Sequence, residues 1–304
     1  MPERLLRVGR WILSILILLF VVRTFQRNWS DLQAQHISWT FRPAPALAAV
    51  IVIELMYGML IEAWRRMLSG WGQSLPLLES ARIWFVSSLG KYVPGKVWAI
   101  ASMALMARDA GVAPWAATAS AIILQGLAVV TGAGVAALAG TRALQNADPR
   151  LLPLFWATGA AGVIGVGLLF WRPAIRRLLD LAGAGSGSPS IGPVIFGAAA
   201  NAVAWVGYGF ALWLLAQAVL PESNLAPSLA IAAFAASYVA GLIALFAPGG
   251  LVVREGLLIA LLQGSIGLGP ATALAVASRV LLTITELGSA VPFLLMRRGR
   301  PSVA

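Results

Sequence analysis

Two apolar stretches of the sequence are broken by Pro-Gly beside fixed charge: GKYVPGKVW at 90–98 and APGGLVVREG at 247–256. Lys91 and Lys96 flank Val93, Pro94 and Gly95, and they are the only lysines in the chain. A lysine pair at a helix start adds positive charge to the positive end of the helix dipole, which suits a bound anion. In the second stretch Pro248, Gly249 and Gly250 precede Arg254 and Glu255, and the missing glycine side chains let backbone N–H groups approach a ligand. Pro248 follows Pro94 by 154 positions, about half of the 304 residues, so the breaks hold corresponding places in two halves. Paired interruptions of this kind point to the central site of a transporter. The plainer alternative has both lysines snorkelling to the membrane surface and Arg254 neutralising Glu255.

Further charges lie within apolar segments, where an ion is costly and usually functional. Arg279, Thr283 and Glu286 fall at i, i+4 and i+7, so they share one helix face. That stripe is either part of the anion site or a structural lock, pairing Arg279 with Glu255 or Arg254 with Glu286. Glu54 and Glu62 lie two turns apart in another apolar segment. Glu62 precedes Arg65 and Arg66 and is expected to pair with them, whereas Glu54 is open to a partner or a proton-coupling role. Gln125, Asn201, Tyr208, Gln217 and Tyr238 are expected to stitch helices together by hydrogen bonds. Arg108 and Asp109 read as a surface pair. With no cysteine and a single His36, no metal site and no cofactor are expected.

The elements that must position these groups are membrane helices. Hydrophobic residues form 60% of the chain and charged residues 11%, against roughly a quarter charged in a soluble domain. A net charge of +11 raises nucleic acid as a partner, but the arginines cluster at the ends of apolar segments and read as topology signals, so no nucleic acid is expected. Crossing a ~30 Å hydrocarbon core takes about 20 apolar residues, a ruler that predicts full spans at 11–26, 45–67, 113–140, 151–171, 192–220 and 270–296. The first, with its basic n-region, lacks a small-residue cleavage site after Phe20 and is read as a retained helix. Segments 75–89 and 95–107 are each too short to cross and predict a re-entrant helical hairpin. Segments 229–246 and 251–262 predict a second, although 229–246 is close to spanning length. Broken backbone at that depth must line protein or a water-filled cavity.

A cytoplasmic N-terminus places Arg4, Arg7, Arg10, Arg65, Arg66, Arg82, Arg108, Arg172, Arg176, Arg177, Arg297, Arg298 and Arg300 on the cytoplasmic side. Arg23, Arg27, Arg42, Arg142 and Arg150 then face outward, which satisfies the positive-inside rule and returns the C-terminus to the cytoplasm. The two hairpins then enter from opposite sides, as an inverted repeat requires. A Gly/Ser connector, AGAGSGSPS at 182–190, joins halves 1–181 and 191–304 of one integral membrane domain. No polar stretch is long enough for a soluble domain. Twelve tryptophans, among them Trp11, Trp39, Trp64, Trp98, Trp115, Trp156 and Trp171, read as an interfacial aromatic belt.

GKYVPGKVW followed about 150 residues later by APGGLVVREG resembles the transmembrane region of the lysylphosphatidylglycerol synthase family, flippase-like integral membrane proteins. The likeness runs from about Ile12 to Met296. Gly90, Lys91, Pro94, Gly95, Pro248, Gly249, Gly250, Arg254 and Glu255 match its motifs, while Val252 stands where the second motif commonly has glycine. The resemblance implies a domain of the bacterial inner membrane that moves a lipid with a charged headgroup between leaflets. Full-length synthases carry a cytosolic aminoacyltransferase domain that this sequence does not show, so the chain is not expected to make lysylphosphatidylglycerol alone.

The combined expectation is an all-α polytopic flippase for an anionic, phosphate-bearing lipid and not an enzyme. Lys91, Lys96, Arg254 and Arg279 would draw the phosphate, with Glu255 and Glu286 holding and releasing the basic side chains. No P-loop is present. The rivals are a non-transporting membrane partner of a lipid-modifying enzyme or glycosyltransferase, and a membrane-embedded headgroup enzyme. The last would need an acid–base pair from Glu54, Glu255 and Glu286.

Overall fold

A computed structural model describes residues 41–92, 97–143, 160, 191–243 and 253–295. The expected spans at 11–26 and 151–171 and the 182–190 connector lie outside them. The described residues form eight α-helices and no strand: α1 (Pro43–Ser69), α2 (Leu77–Ser88), α3 (Val97–Asp109), α4 (Pro114–Ala143), α5 (Ile191–Val219), α6 (Pro227–Ile243), α7 (Val253–Ile266) and α8 (Leu268–Leu295). A 3₁₀ turn, Leu89–Tyr92, follows α2.

Among the described residues four helices are long and apolar enough to cross a membrane: Pro43–Ser69, Pro114–Gly140, Ile191–Val219 and Leu268–Leu295. These match the expected spans at 45–67, 113–140, 192–220 and 270–296, so the chain is a multi-pass membrane protein. Proline opens α1, α4 and α6, where its missing N–H costs nothing because the first helical turn has no acceptor for it. Both α1 and α3 stop at a glycine in left-handed conformation, Gly72 (φ 70) and Gly111 (φ 86). Each end carries the two bonds of a Schellman cap: Gln73 N–H to the Leu68 carbonyl (3.1 Å) and Gly72 to Ser69 (3.0 Å), then Val112 to Ala107 (2.9 Å) and Gly111 to Arg108 (3.0 Å).

The packing is that of a protein dissolved in lipid. On α1 the large side chains Leu47, Ile51 and Leu55, four residues apart, point outward, while α6 buries Ala230, Ala232, Ala233, Ala235 and Ala236. Hydrocarbon gives little reason to hide leucine, so small residues take the interfaces and backbones approach closely. At Gly209 an added Cβ would stand 2.3 Å from Ile231 Cα, so α5 and α6 touch backbone to backbone. Gly209→Ala should therefore lower stability by about 1–3 kcal/mol, the usual cost of overpacking, read as a fall in melting temperature in detergent.

Between the long helices run shorter ones of 12, 13, 17 and 14 residues for α2, α3, α6 and α7. At 1.5 Å per residue α2, α3 and α7 are only about 18–21 Å long and α6 about 26 Å. Helices α2 and α3 run antiparallel, with Ser102 Oγ against the Ser87 carbonyl and Gly90 against Ala99. A Cβ on Gly90 would meet the Ala99 backbone nitrogen at 2.7 Å, so only glycine permits this approach.

Element order repeats: long, short, short, long in α1–α4 and again in α5–α8. Contacts repeat as well. Helix α1 packs on α5, α4 packs on α5 and α6, and α8 packs on α1 and α2. Tyr57 of α1 meets Tyr208 of α5 edge-on with ring centroids 5.9 Å apart. Phe85 of α2 lies 5.5 Å from Tyr57, and Phe234 of α6 lies 5.9 Å from Tyr208. This string reads the same from either end.

Candidate functional site

Helix α8 gathers most of the expected residues. Its inward face carries Ser278, Arg279, Thr285, Glu286 and Ser289, with Glu286 only 4% exposed. Lys91 Nζ, from the 3₁₀ turn after α2, lies 2.5 Å from Glu286 Oε2. Seven residues earlier, Arg279 Nη1 lies 3.3 Å from Glu255 Oε1 of α7. Seven residues of helix rise about 10 Å, so α8 holds one ion pair to each short-helix pair at two heights on one face.

Arg254 is enclosed. Its guanidinium carbon sits 4.8 Å from the Tyr238 ring centroid and 5.2 Å from that of Phe234. Its Nη2 donates to Ser278 Oγ at 3.2 Å, and the residue is 5% exposed. Two ring faces and a hydroxyl take the place of water around this cation. Glu54 of α1 meets the Ser289 hydroxyl of α8. Tyr208 lies within electrostatic reach of both Glu54 and Glu286, so these groups form one neighbourhood where α1, α5 and α8 meet.

Of the expected site residues, Lys91, Arg254, Glu255, Arg279, Glu286 and Glu54 are thus brought together. Pro94, Gly95, Lys96, Pro248, Gly249 and Gly250 lie outside the described residues. Lys91 turns to α8 and does not snorkel outward, and Glu255 pairs with Arg279 and not with its neighbour Arg254. The Arg279–Glu255 lock is realised, whereas Glu286 takes Lys91 and leaves Arg254 to Ser278. Glu62 pairs with Arg65 (2.5 Å) and Arg66 (2.9 Å) as expected, and Arg108 with Asp109.

Two expectations are corrected. Trp64 is fully buried and donates its indole N–H to Ser120 Oγ at 2.8 Å, so it rivets α1 to α4 and is no part of an aromatic belt. Asn201 donates to the Gly197 carbonyl of its own helix at 2.8 Å and stitches nothing across. Sequence reasoning missed Ser278, Ser289 and Tyr57. Serine recurs through apolar helices without consequence, and the only signal was that Ser278 and Ser289 flank Arg279 and Glu286 on the same turns.

A polytopic helical membrane protein with ionised side chains knitted across its interior is the class that fold and site define. The family described as the lysylphosphatidylglycerol synthase transmembrane region matches residues 10–286, and the chain belongs to it. No curated protein matches the chain significantly.

Proposed function

We propose that the protein is a flippase carrying an anionic, phosphate-bearing lipid across the bacterial inner membrane, and that it is not an enzyme. The observation that supports this most is the pair of salt bridges on α8, Lys91–Glu286 and Arg279–Glu255. Each matches a cation to a carboxylate with one partner at the end of a short helix, Lys91 just after α2 and Glu255 in the first turn of α7, and a phosphate oxygen can replace the carboxylate at either. A headgroup could then pass from one basic side chain to the next, about 10 Å along, while its acyl chains stay in the bilayer. The membership in a family of lipid metabolism agrees with this reading.

In this reading the short pairs α2–α3 and α6–α7 are re-entrant hairpins entering from opposite sides, within one domain of six spans whose termini are both cytoplasmic. The repeated element order and the Tyr57–Tyr208 contact support an inverted repeat. Residues related by a two-fold axis in the membrane plane touch each other only where they flank that axis.

The test is exchange of labelled phosphatidylglycerol between leaflets of liposomes holding the purified protein. Wild type should exchange the label, and a double variant Lys91→Ala/Arg279→Ala, still folded, should do so at least tenfold more slowly. Full activity in the double variant removes the site. A folded wild type that moves no lipid leaves the chain as a membrane partner of a lipid-modifying enzyme.

A further inference from the structure

We propose that Glu54 is a proton-binding residue that couples lipid movement to the proton gradient, with Ser289 as the switch that reads its charge; the coupling rests on the flippase reading above. Glu54 sits near the middle of α1, half-buried. Among the described helical carboxylates it alone meets no basic side chain. Glu62, Glu79, Asp109, Glu255 and Glu286 pair with Arg65 and Arg66, Arg82, Arg108, Arg279 and Lys91 respectively. A carboxyl inside a membrane with no ion-pair partner among the described residues fits the pattern of proton relays.

Hydrogen stoichiometry at Ser289 gives the site two states. Its Oγ is in contact both with Glu54 Oε1 and with the Thr285 carbonyl, the latter at 2.9 Å. A serine hydroxyl has one hydrogen to donate and lone pairs to accept. With Glu54 ionised, that hydrogen goes to the carboxylate and the Thr285 contact is left without one. When Glu54 holds a proton, the carboxyl donates to Ser289 Oγ and Ser289 donates to Thr285. Both contacts are then hydrogen bonds, and the only proton gained is the one on Glu54.

The groups that face Glu54 connect it to the anion site. Tyr57 is on its own helix. Helix α5 supplies Tyr208, which lies within electrostatic reach of Glu54 and Glu286 alike. Helix α8 supplies Glu286 with its partner Lys91, and Arg279 with Glu255 two turns earlier. Helix α2 sets the uncharged Phe85 against Tyr57, and α4 meets α1 farther along, where Trp64 bonds Ser120. Glu54 and Glu286 therefore add negative charge to one region, and a phosphate seated at Lys91 adds more. A proton on Glu54 removes one of these charges and favours the phosphate; by linkage the phosphate favours the proton to the same degree.

The experiment uses the full chain in liposomes with labelled phosphatidylglycerol and an imposed pH gradient. For wild type the gradient should bias the final distribution of label at least threefold, and Glu54→Gln should lose the bias. Lipid movement by wild type with no response to the gradient, or a bias retained in Glu54→Gln, overturns the coupling while leaving the flippase reading intact. If wild type moves no lipid, that reading fails, and infrared difference spectra between acid and alkaline buffer decide the proton site alone. Wild type should show a protonated-carboxyl band that Glu54→Gln lacks and that Ser289→Ala shifts; absence of such a band from wild type, or a band that Ser289→Ala leaves in place, overturns the site.

Discussion

Lys91→Ala should lower stability by about 2–4 kcal/mol and slow lipid exchange at least tenfold, and a second substitution separates the two losses. Removing the lysine takes the cation from Glu286, a carboxylate 4% exposed. Breaking one side of a buried pair typically costs about 3–5 kcal/mol. The lower range applies here because Lys91 keeps 36% of its side-chain surface exposed, and water already screens part of the attraction. Adding Glu286→Gln to Lys91→Ala removes the carboxylate charge that Lys91 balanced, so most of the stability should return in thermal melts. Lipid exchange should stay low, because the cation that receives the phosphate is still missing. Recovery of exchange along with stability would make Lys91 a structural strut and nothing more.

The long helices were legible because lipid sets a length requirement that composition alone can meet or fail. Four of the six expected spans coincide with described helices to within a few residues. Pro94 and Pro248 lie outside the described residues, but the short helices α2, α3, α6 and α7 on either side of them were legible for the converse reason: Pro-Gly and fixed charge have no place in a lipid-facing helix. Partner choice was much less so. Spacing put Arg279 and Glu286 on one face, but it could not show that the face meets α7 at one level and the turn after α2 at another. Glu286 finds Lys91 across 195 positions of sequence, and no helical period encodes that. Trp64 misled because tryptophan near a cluster of arginines has the composition of a membrane interface. Its neighbour Ser120 lies 56 positions away on α4 and gives its indole N–H a buried acceptor. Asn201 misled for a local reason, since an amide in an apolar helix can satisfy itself on the carbonyl four residues back.

Arg254→Ala should cost about 2–4 kcal/mol and abolish lipid exchange, and Arg254→Lys should recover little of either. The guanidinium lies over Tyr238 and Phe234 and donates to Ser278. Stacking of a desolvated cation on a ring contributes about 2 kcal/mol, and a hydrogen bond to a charged group about 1.5–3 kcal/mol. Part of that gain offsets the cost of taking the charge out of water, which brings the net to the range given. Lysine keeps the charge but has no planar face to lie against two rings, and it concentrates its charge on one strongly hydrated ammonium. Ring substitutions supply the control. Tyr238→Phe keeps the stacking face and should behave as wild type in thermal melts, while Tyr238→Ala should lose about 1–3 kcal/mol with the ring. If Arg254→Lys instead preserves both stability and exchange, charge alone is what the position requires. The enclosure by Tyr238 and Phe234 would then be packing without consequence for the start of α7.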